Sequence, residues 1–186
     1  MELFACPILD TGKSAAHDTA YALLRRVLRE SYGLSLPEIA RDSRGKPFFP
    51  NVPQLHFNLS HCRGLAVCGI SDAPLGVDAE EIRPLRERVL RRAFSPEESQ
   101  AVRESQHPDA HFFRLWTLKE SYVKAIGVGI SYPLHTLSFE LDGKNIYASV
   151  SGWQFRQFLI QPDWVVSCCV DSKDTLPDKV LFLPHH

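Results

Sequence analysis

Two acids two residues apart, Asp78 and Glu80 in Gly76-Val77-Asp78-Ala79-Glu80, open the chemical reading. On a strand such a pair leaves one face, while Val77 and Ala79 take the other. Oxygen donors held side by side suit Mg²⁺, which is commonly held by one or two carboxylates, waters and substrate phosphates. A solvated strand end with two acids has the same sequence. Further on, Trp116, Glu120 and Lys124 recur every four residues on one side of a predicted helix, and Leu115, Leu118, Tyr122 and Ile126 form a core stripe nearly opposite. Trp116, Phe113 and Val123 imply packing on the first side as well, which puts Glu120 and Lys124 at the edge of a cleft. The plain alternative for these two is an i,i+4 ion pair worth about 0.2–0.5 kcal/mol.

Upstream, Arg44-Gly45-Lys46-Pro47 sets a cation between two residues that restrict the backbone. In Phe57-Asn58-Leu59-Ser60-His61-Cys62, a hydroxyl, an imidazole and backbone donors meet at the expected end of a strand, where they can converge on an anion. A Ser60–His61 hydrolase is rejected, because neighbours on a strand point apart and no G-x-S-x-G elbow is present. The sequence also lacks a Walker loop, G-x-G-x-x-G, H-E-x-x-H and paired-cysteine metal spacing.

These residues need elements to hold them. Periodicity predicts a strand over 2–9, then a helix over 16–32 with Ala20, Leu23, Leu24, Val27 and Leu28 inward and Gly33 as its stop. Pro37, Gly45, Pro47, Pro50 and Pro53 make 33–53 a loop. Strands follow over 55–60, 65–71 and 75–80, then a helix over 84–93. Ser95 caps the next helix, with Pro96 at its first position and Glu97 and Glu98 in its first turn. A longer helix spans 109–126, and strands return over 136–141, 146–150, 153–160 and 165–170. This order predicts an α+β fold of two halves, each a helix packed on a small antiparallel sheet. The halves are residues 1–82 and 83–175, and the polar tail 176–186 is expected to be flexible. His185 and His186 are given no role.

The 186 residues allow one full-size domain or two small halves. Lys plus Arg is 21 against 22 acids, so no global positive field draws the chain to nucleic acid or anionic lipid, and any charged partner must meet a local patch. Five cysteines without C-x-x-C spacing favour a reducing compartment. No apolar run reaches the length of a membrane span, and Glu2 stands where a secretory leader carries basic residues. The expectation is a soluble cytoplasmic protein with neither a nucleic-acid nor a membrane partner.

The motifs stand in one order: G-K-P, F-N-L-S-H, G-V-D-A-E, F-S-P-E-E and W-T-L-K-E-S-Y-V-K-A-I-G-V-G-I. This series closely resembles the 4'-phosphopantetheinyl transferase superfamily, in its surfactin-synthetase-activator type, over about residues 41–141. The resemblance implies a pseudo-symmetric tandem of two similar halves with the active site at their interface, and a monomer. It implies coenzyme A as substrate and Mg²⁺, or Mn²⁺ in its place, as metal. A serine hydroxyl of an apo acyl or peptidyl carrier protein would attack the β-phosphate of coenzyme A, taking the phosphopantetheine arm and releasing adenosine 3',5'-bisphosphate. By position, Asp78, Glu80 and Glu120 match the metal-binding acids, and Glu120 is also the candidate base. Lys124 matches the lysine that neutralises the pyrophosphate, Lys46, Ser60 and His61 match residues that hold the nucleotide phosphates, and Glu98 matches a further family acid.

The chain departs from that pattern in its first helix, where Tyr21 stands at about the place of an arginine. Lys13 is one of few cations upstream, and Arg25 or Arg26 is the expected substitute. Arg83, Arg86, Arg88, Arg91 and Arg92 crowd the segment after the D-x-E strand. They are read either as a docking surface for an acidic carrier protein or as a solvated helix face balanced by Glu81 and Glu87. Two other functions stay open: a catalytically inactive homologue that binds coenzyme A or a carrier protein, and a Mg²⁺-dependent hydrolase of nucleotide pyrophosphates.

Overall fold

Leu3, Phe4, Ala5 and Cys6 are all buried, so the first strand, β1 (Glu2–Pro7), is covered on both faces. The computed structural model describes residues 1–9, 12, 14–161 and 163–184, with Ile130 described by its backbone alone. Lys13, His185 and His186 lie outside the described residues. Phe4 and Cys6 meet helix α1 (Ala15–Tyr32) through Leu23, Leu24, Val27 and Leu28. Gly33 ends that helix in the left-handed region, φ 63°, as a C-terminal glycine does.

Two strands, β2 (Ala40–Arg41) and β3 (Pro47–Phe48), form a small hairpin within the stretch that its prolines predict to be irregular. The Asp42 carboxylate makes the turn by accepting from the Arg44 and Lys46 N–H groups, each at 2.9 Å. Then come β4 (His56–Cys62), β5 (Leu65–Ser71) and β6 (Leu75–Glu81). Ser60 and His61 thus lie inside β4 and not at its end, and adjacent positions on a strand face opposite ways.

Helix α2 (Glu87–Ala93) is shorter than the sequence suggests. Helix α3 (Pro96–Glu104) starts at the expected Ser95, whose hydroxyl accepts from the Glu98 N–H while the Glu98 carboxylate accepts from the Ser95 N–H. Helix α4 (Pro108–Ile126) follows, then β7 (Phe139–Asp142) and β8 (Asn145–Ala148), which pair with each other. β9 (Trp153–Ile160) and β10 (Trp164–Asp171) close the second sheet.

The tail expected to be flexible instead carries β11 (Leu181–Phe182), paired in parallel with β1. Its apolar residues decide this. Leu176 and Val180 pack on the core between the sheets, and Leu181 and Leu183 pack on the core under α1. The Leu183 N–H also donates to the Ala5 carbonyl at 2.9 Å.

The first sheet runs β11-β1-β5-β4 and the second β6-β10-β9. Leu3, Ala5, Leu65 and Val67 of the first meet Leu75, Val77, Ala79, Val166 and Cys168 of the second. The other face of the second sheet carries Asp78 and Glu80 and lies under α4, whose Leu115, Leu118 and Tyr122 fill a third core with Val165 and Cys169. Along β4, side chains replace the backbone ladder to β6: Asn58 Oδ1 accepts from the Val77 N–H at 2.8 Å, and Ser60 Oγ from the Ala79 N–H at 3.1 Å.

Gly76 lets α4 lie directly on β6. A Cβ there would stand 2.0 Å from the Ser121 carbonyl oxygen and 2.4 Å from the Ala125 nitrogen, backbone atoms that cannot swing aside. Gly76→Ala is expected to destabilise the fold by about 2–3 kcal/mol. Urea denaturation checks this, and an unchanged midpoint would mean that helix and strand are not in such close contact.

Candidate functional site

Helix α4 brings Lys124 over β6. Its ammonium donates to Asp78 Oδ1 at 2.6 Å, Ser60 Oγ at 3.0 Å and the Val77 carbonyl at 3.1 Å. Lys124 therefore joins helix to strand, and no i,i+4 ion pair with Glu120 is formed among the described residues. The Ser60 hydroxyl also donates to Asp78 Oδ1, at 3.0 Å. The other carboxylate oxygen, Asp78 Oδ2, is buried and has no hydrogen-bond partner. Leaving such an acceptor unsatisfied costs about 1–3 kcal/mol, and more when it is charged. Glu80 pairs with Arg83 at 3.0 Å.

Charge accumulates on this face of β6. Burial pushes the Glu120 carboxyl up to about 7, the charges of Asp78 and Glu80 add to the shift, and Lys124 opposes it. Glu80 is also raised, by burial first and then by Asp78, against the pull of Arg83. Among the described residues, no three His, Cys, Asp or Glu side chains are grouped as a metal cluster. The donor chemistry nevertheless fits a divalent cation. An orphaned buried carboxylate oxygen beside two carboxyls raised by burial and then by the neighbouring acids is what such a cation relieves.

A cavity of about 390 Å³ opens beside Lys124 and Glu120, walled by Arg41, Arg44, Lys46 and His61 and, from α1, by His17 and Tyr21. The Lys46 ammonium donates to the Ala125 carbonyl at 2.6 Å and the Leu75 carbonyl at 3.2 Å, and burial pushes it down to about 8. His61 is held below its ordinary value by burial and then by Lys124. Ser60, expected at the phosphates, does not line this cavity. Its side chain lies in the seam between β4 and β6, where it positions Asp78 and Lys124. Arg25 and Arg26, the expected substitutes for a first-helix cation, line a different hollow with Cys6, Leu183 and Pro184.

Glu120 also borders a second groove, of about 670 Å³, with Trp116, Tyr132 and Leu134, edged by Arg88 and Arg92. Four of the five clustered arginines divide accordingly, and Arg91 borders neither hollow. Arg83 and Arg86 border a small hollow beside Glu80, with Arg83 5.0 Å from the centre of the Phe113 ring.

Three residues of this region are given no role by the sequence reading, although Lys119 stands within the W-T-L-K-E series. Lys119 is fully buried and pairs with Glu98 at 2.7 Å, while its ammonium also donates to the carbonyls of Leu134 and Leu137. The signal was a lysine four residues after Leu115, inside the apolar stripe. Arg41 and Arg44 were legible only as basic residues near the G-K-P turn.

Residues 74–169, rather more than half of the chain, match the family model described as the 4'-phosphopantetheinyl transferase superfamily. The chain belongs to that superfamily. The matched region of this phosphopantetheinyl transferase relative includes Asp78, Glu80, Glu98, Glu120 and Lys124. The chain is 37% identical over 124 residues to the 4'-phosphopantetheinyl transferase psf-1 of Bacillus pumilus, covering 64% of this chain and 53% of that protein. It is 30% identical over 173 residues to the 4'-phosphopantetheinyl transferase Sfp of Bacillus subtilis (strain 168), covering 87% and 77%. The chain thus spans about half the length of the first of these relatives and three quarters of the second. Among solved structures, the holo-[acyl-carrier-protein] synthase of Thermotoga maritima is similar over 53% of this chain and 62% of that one, with TM-score 0.46 and 16% identity. That likeness is too slight to carry the fold, which stands on the chain's own hydrogen bonding. No helix among the described residues is long and apolar enough to cross a membrane.

Proposed function

We propose that this superfamily member transfers the 4'-phosphopantetheine arm from coenzyme A to a serine of an apo acyl or peptidyl carrier protein. The carrying observation is the place of Glu120, which borders both a cavity with Lys46, His61 and Lys124 on its walls and a separate groove edged by Arg88 and Arg92. The first suits a nucleotide pyrophosphate and the second an acidic protein that presents a hydroxyl between them. The names of the relatives agree with this reading.

In the step itself the serine oxygen bonds to the β-phosphorus of coenzyme A. The bond from that phosphorus to the bridging oxygen breaks, and adenosine 3',5'-bisphosphate leaves with the electron pair. Glu120, directly or through a water, takes the serine proton. Lys124 and Lys46 offset charge on the phosphate oxygens, and His61 donates to them. Asp78, Glu80 and Glu120 would hold Mg²⁺ or Mn²⁺, which supplies Lewis-acid neutralisation of the pyrophosphate when bound.

We further read the fold as two pseudo-symmetric halves in a monomer. Each unit runs strand, helical segment (α1 in the first, α2 to α4 in the second), hairpin, strand, strand, and the first of these strands pairs with the last. On that reading β6 opens the second half, so the boundary falls near residues 72–74 and not after 82, in line with the start of the family match at 74.

The test is the intact mass of an apo carrier protein after incubation with this protein, coenzyme A and Mg²⁺, with and without EDTA and at low and high salt. The expected result is a gain of one phosphopantetheine arm, abolished by EDTA and slowed by salt. Free phosphopantetheine without a carrier mass gain would favour the hydrolase, and coenzyme A binding without turnover the inactive homologue. A rate indifferent to salt would remove Arg88 and Arg92 as the docking edge.

A further inference from the structure

The seam between β4 and β6 is bridged by side chains, and the Ser60 bridge ends in a knot of fully engaged groups. Ser60 carries one hydroxyl proton and two lone pairs, and Lys124 carries three ammonium protons. The Ser60 hydroxyl gives its proton to Asp78 Oδ1 at 3.0 Å and accepts from the Ala79 N–H at 3.1 Å and from Lys124 Nζ at 3.0 Å. The Lys124 ammonium gives its other two protons to Asp78 Oδ1 at 2.6 Å and to the Val77 carbonyl at 3.1 Å. Both side chains are therefore saturated. Ser60 and Asp78 are each 6% exposed, so water is not at hand to replace a bond that either of them loses.

Asp78 is the member of the knot with capacity left. Both donors converge on Oδ1, while Oδ2 is buried and has no hydrogen-bond partner among the described residues. The last torsion of a carboxylate is soft and its two oxygens are alike, so only this pair of donors tells them apart. Lys124 alone does not fix the plane of the group, because an ammonium on a four-carbon stem acts as a point charge. The Ser60 hydroxyl supplies the second direction, and its own orientation is set by the Ala79 N–H on the strand that carries Asp78. Ser60 does not line the cavity walled by Lys46 and His61, so its hydroxyl serves the carboxylate and not a phosphate.

Resting on the cation-assisted transferase reading above, we propose that Ser60 is a positioning residue of the divalent-cation site, which with Lys124 ties down Asp78 Oδ1 and so presents Oδ2 to the cation. An oxygen held in this way meets a cation without a torsional search, as hydrogen-bonded outer groups arrange for ligating carboxylates. Removing the hydroxyl brings three losses at once. Asp78 keeps a single donor, Lys124 lacks an acceptor, and the Ala79 N–H is left buried and unpaired. The seam serine thus governs cation affinity without touching the nucleotide, although motif order places it at the nucleotide phosphates.

Mn²⁺ titration of the full chain, followed by the electron paramagnetic resonance of the free ion, tests this, both without coenzyme A and with it at saturation. Ser60→Ala is expected to weaken Mn²⁺ binding about tenfold, the low end of the range for a ligand that loses its outer partner. Its affinity for coenzyme A in EDTA, read by isothermal titration, is expected to stay within about twofold of the unaltered protein. Ser60→Thr retains the hydroxyl and is expected to keep most of the Mn²⁺ affinity. Asn58→Ala opens the other bridge of the same seam, the 2.8 Å bond from the Val77 N–H. It is expected to lower Tm comparably while leaving Mn²⁺ affinity within about twofold. If Ser60→Ala binds Mn²⁺ as the unaltered protein does, or Asn58→Ala weakens it equally, Ser60 does not position the cation site. A loss confined to coenzyme A binding would make Ser60 a phosphate contact and overturn the assignment as well. If the unaltered protein binds no Mn²⁺ in either state, the cation reading itself falls and takes this assignment with it.

Discussion

Replacing Glu120 with Gln is expected to lower kcat for phosphopantetheinyl transfer about 10³-fold, within the 10²–10⁴-fold span of a lost general base. The amide keeps the shape of the side chain and its place between the two cavities, but it cannot accept the serine proton. KM for coenzyme A should move little, because Lys46, His61 and Lys124 remain. Stability should move the other way. Burial and the neighbouring acids raise this carboxyl to about 7 in the metal-free protein, so folding favours its protonated form. That contribution is fully present below the unfolded carboxylate pKa and is lost as pH rises through about 7. In EDTA, the Tm of Glu120→Gln relative to the unaltered protein is therefore expected to increase between about pH 5 and pH 8. Steady-state kinetics with an apo carrier protein and thermal melts at the two pH values check both halves. Full transfer activity in the variant would remove Glu120 as the base.

The parts of the fold that were legible are those whose own side chains decide their structure. The stripe Leu115, Leu118, Tyr122 foretold α4, the Ser95-Pro96-Glu97-Glu98 start foretold α3, and the alternation through Val77-Asp78-Ala79-Glu80 put the acids on one face of β6. Parts decided by distant partners were not legible. Strand β11 exists because Leu181 and Leu183 find the core under α1, and nothing local to a proline-bearing tail announces that. Strand β4 continues through His61, which turns Ser60 into a seam residue while His61 lines the cavity. Lys124 likewise reads as the partner of Glu120 by spacing, and only packing of α4 against β6 delivers it to Asp78. The site's residue types were therefore visible in the sequence, while their pairings were set by which elements touch.

Lys119→Met is expected to destabilise the fold by about 3–5 kcal/mol, the range for breaking a buried ion pair from one side. Lys119 is 0% exposed and Glu98 3%, so neither charge has water to fall back on. Removing the ammonium leaves the Glu98 carboxylate with only the Ser95 and Phe139 N–H groups, and strips the Leu134 and Leu137 carbonyls of their shared donor. Those carbonyls belong to the turn that carries Tyr132 and Leu134 to the groove beside Glu120, and Lys119 immediately precedes Glu120 on α4. Loss of the pair thus loosens the acceptor side of the site, while the nucleotide cavity keeps the walls that α1, the β2–β3 hairpin and β4 supply. At a temperature where the variant is still folded, KM for the carrier protein should rise more than KM for coenzyme A. Lys119→Met/Glu98→Gln should recover part of the lost stability, because no uncompensated charge then remains buried. Urea denaturation of the two single variants and the double variant gives the coupling. Strict additivity of the two single losses would mean that the buried pair does not act as a unit.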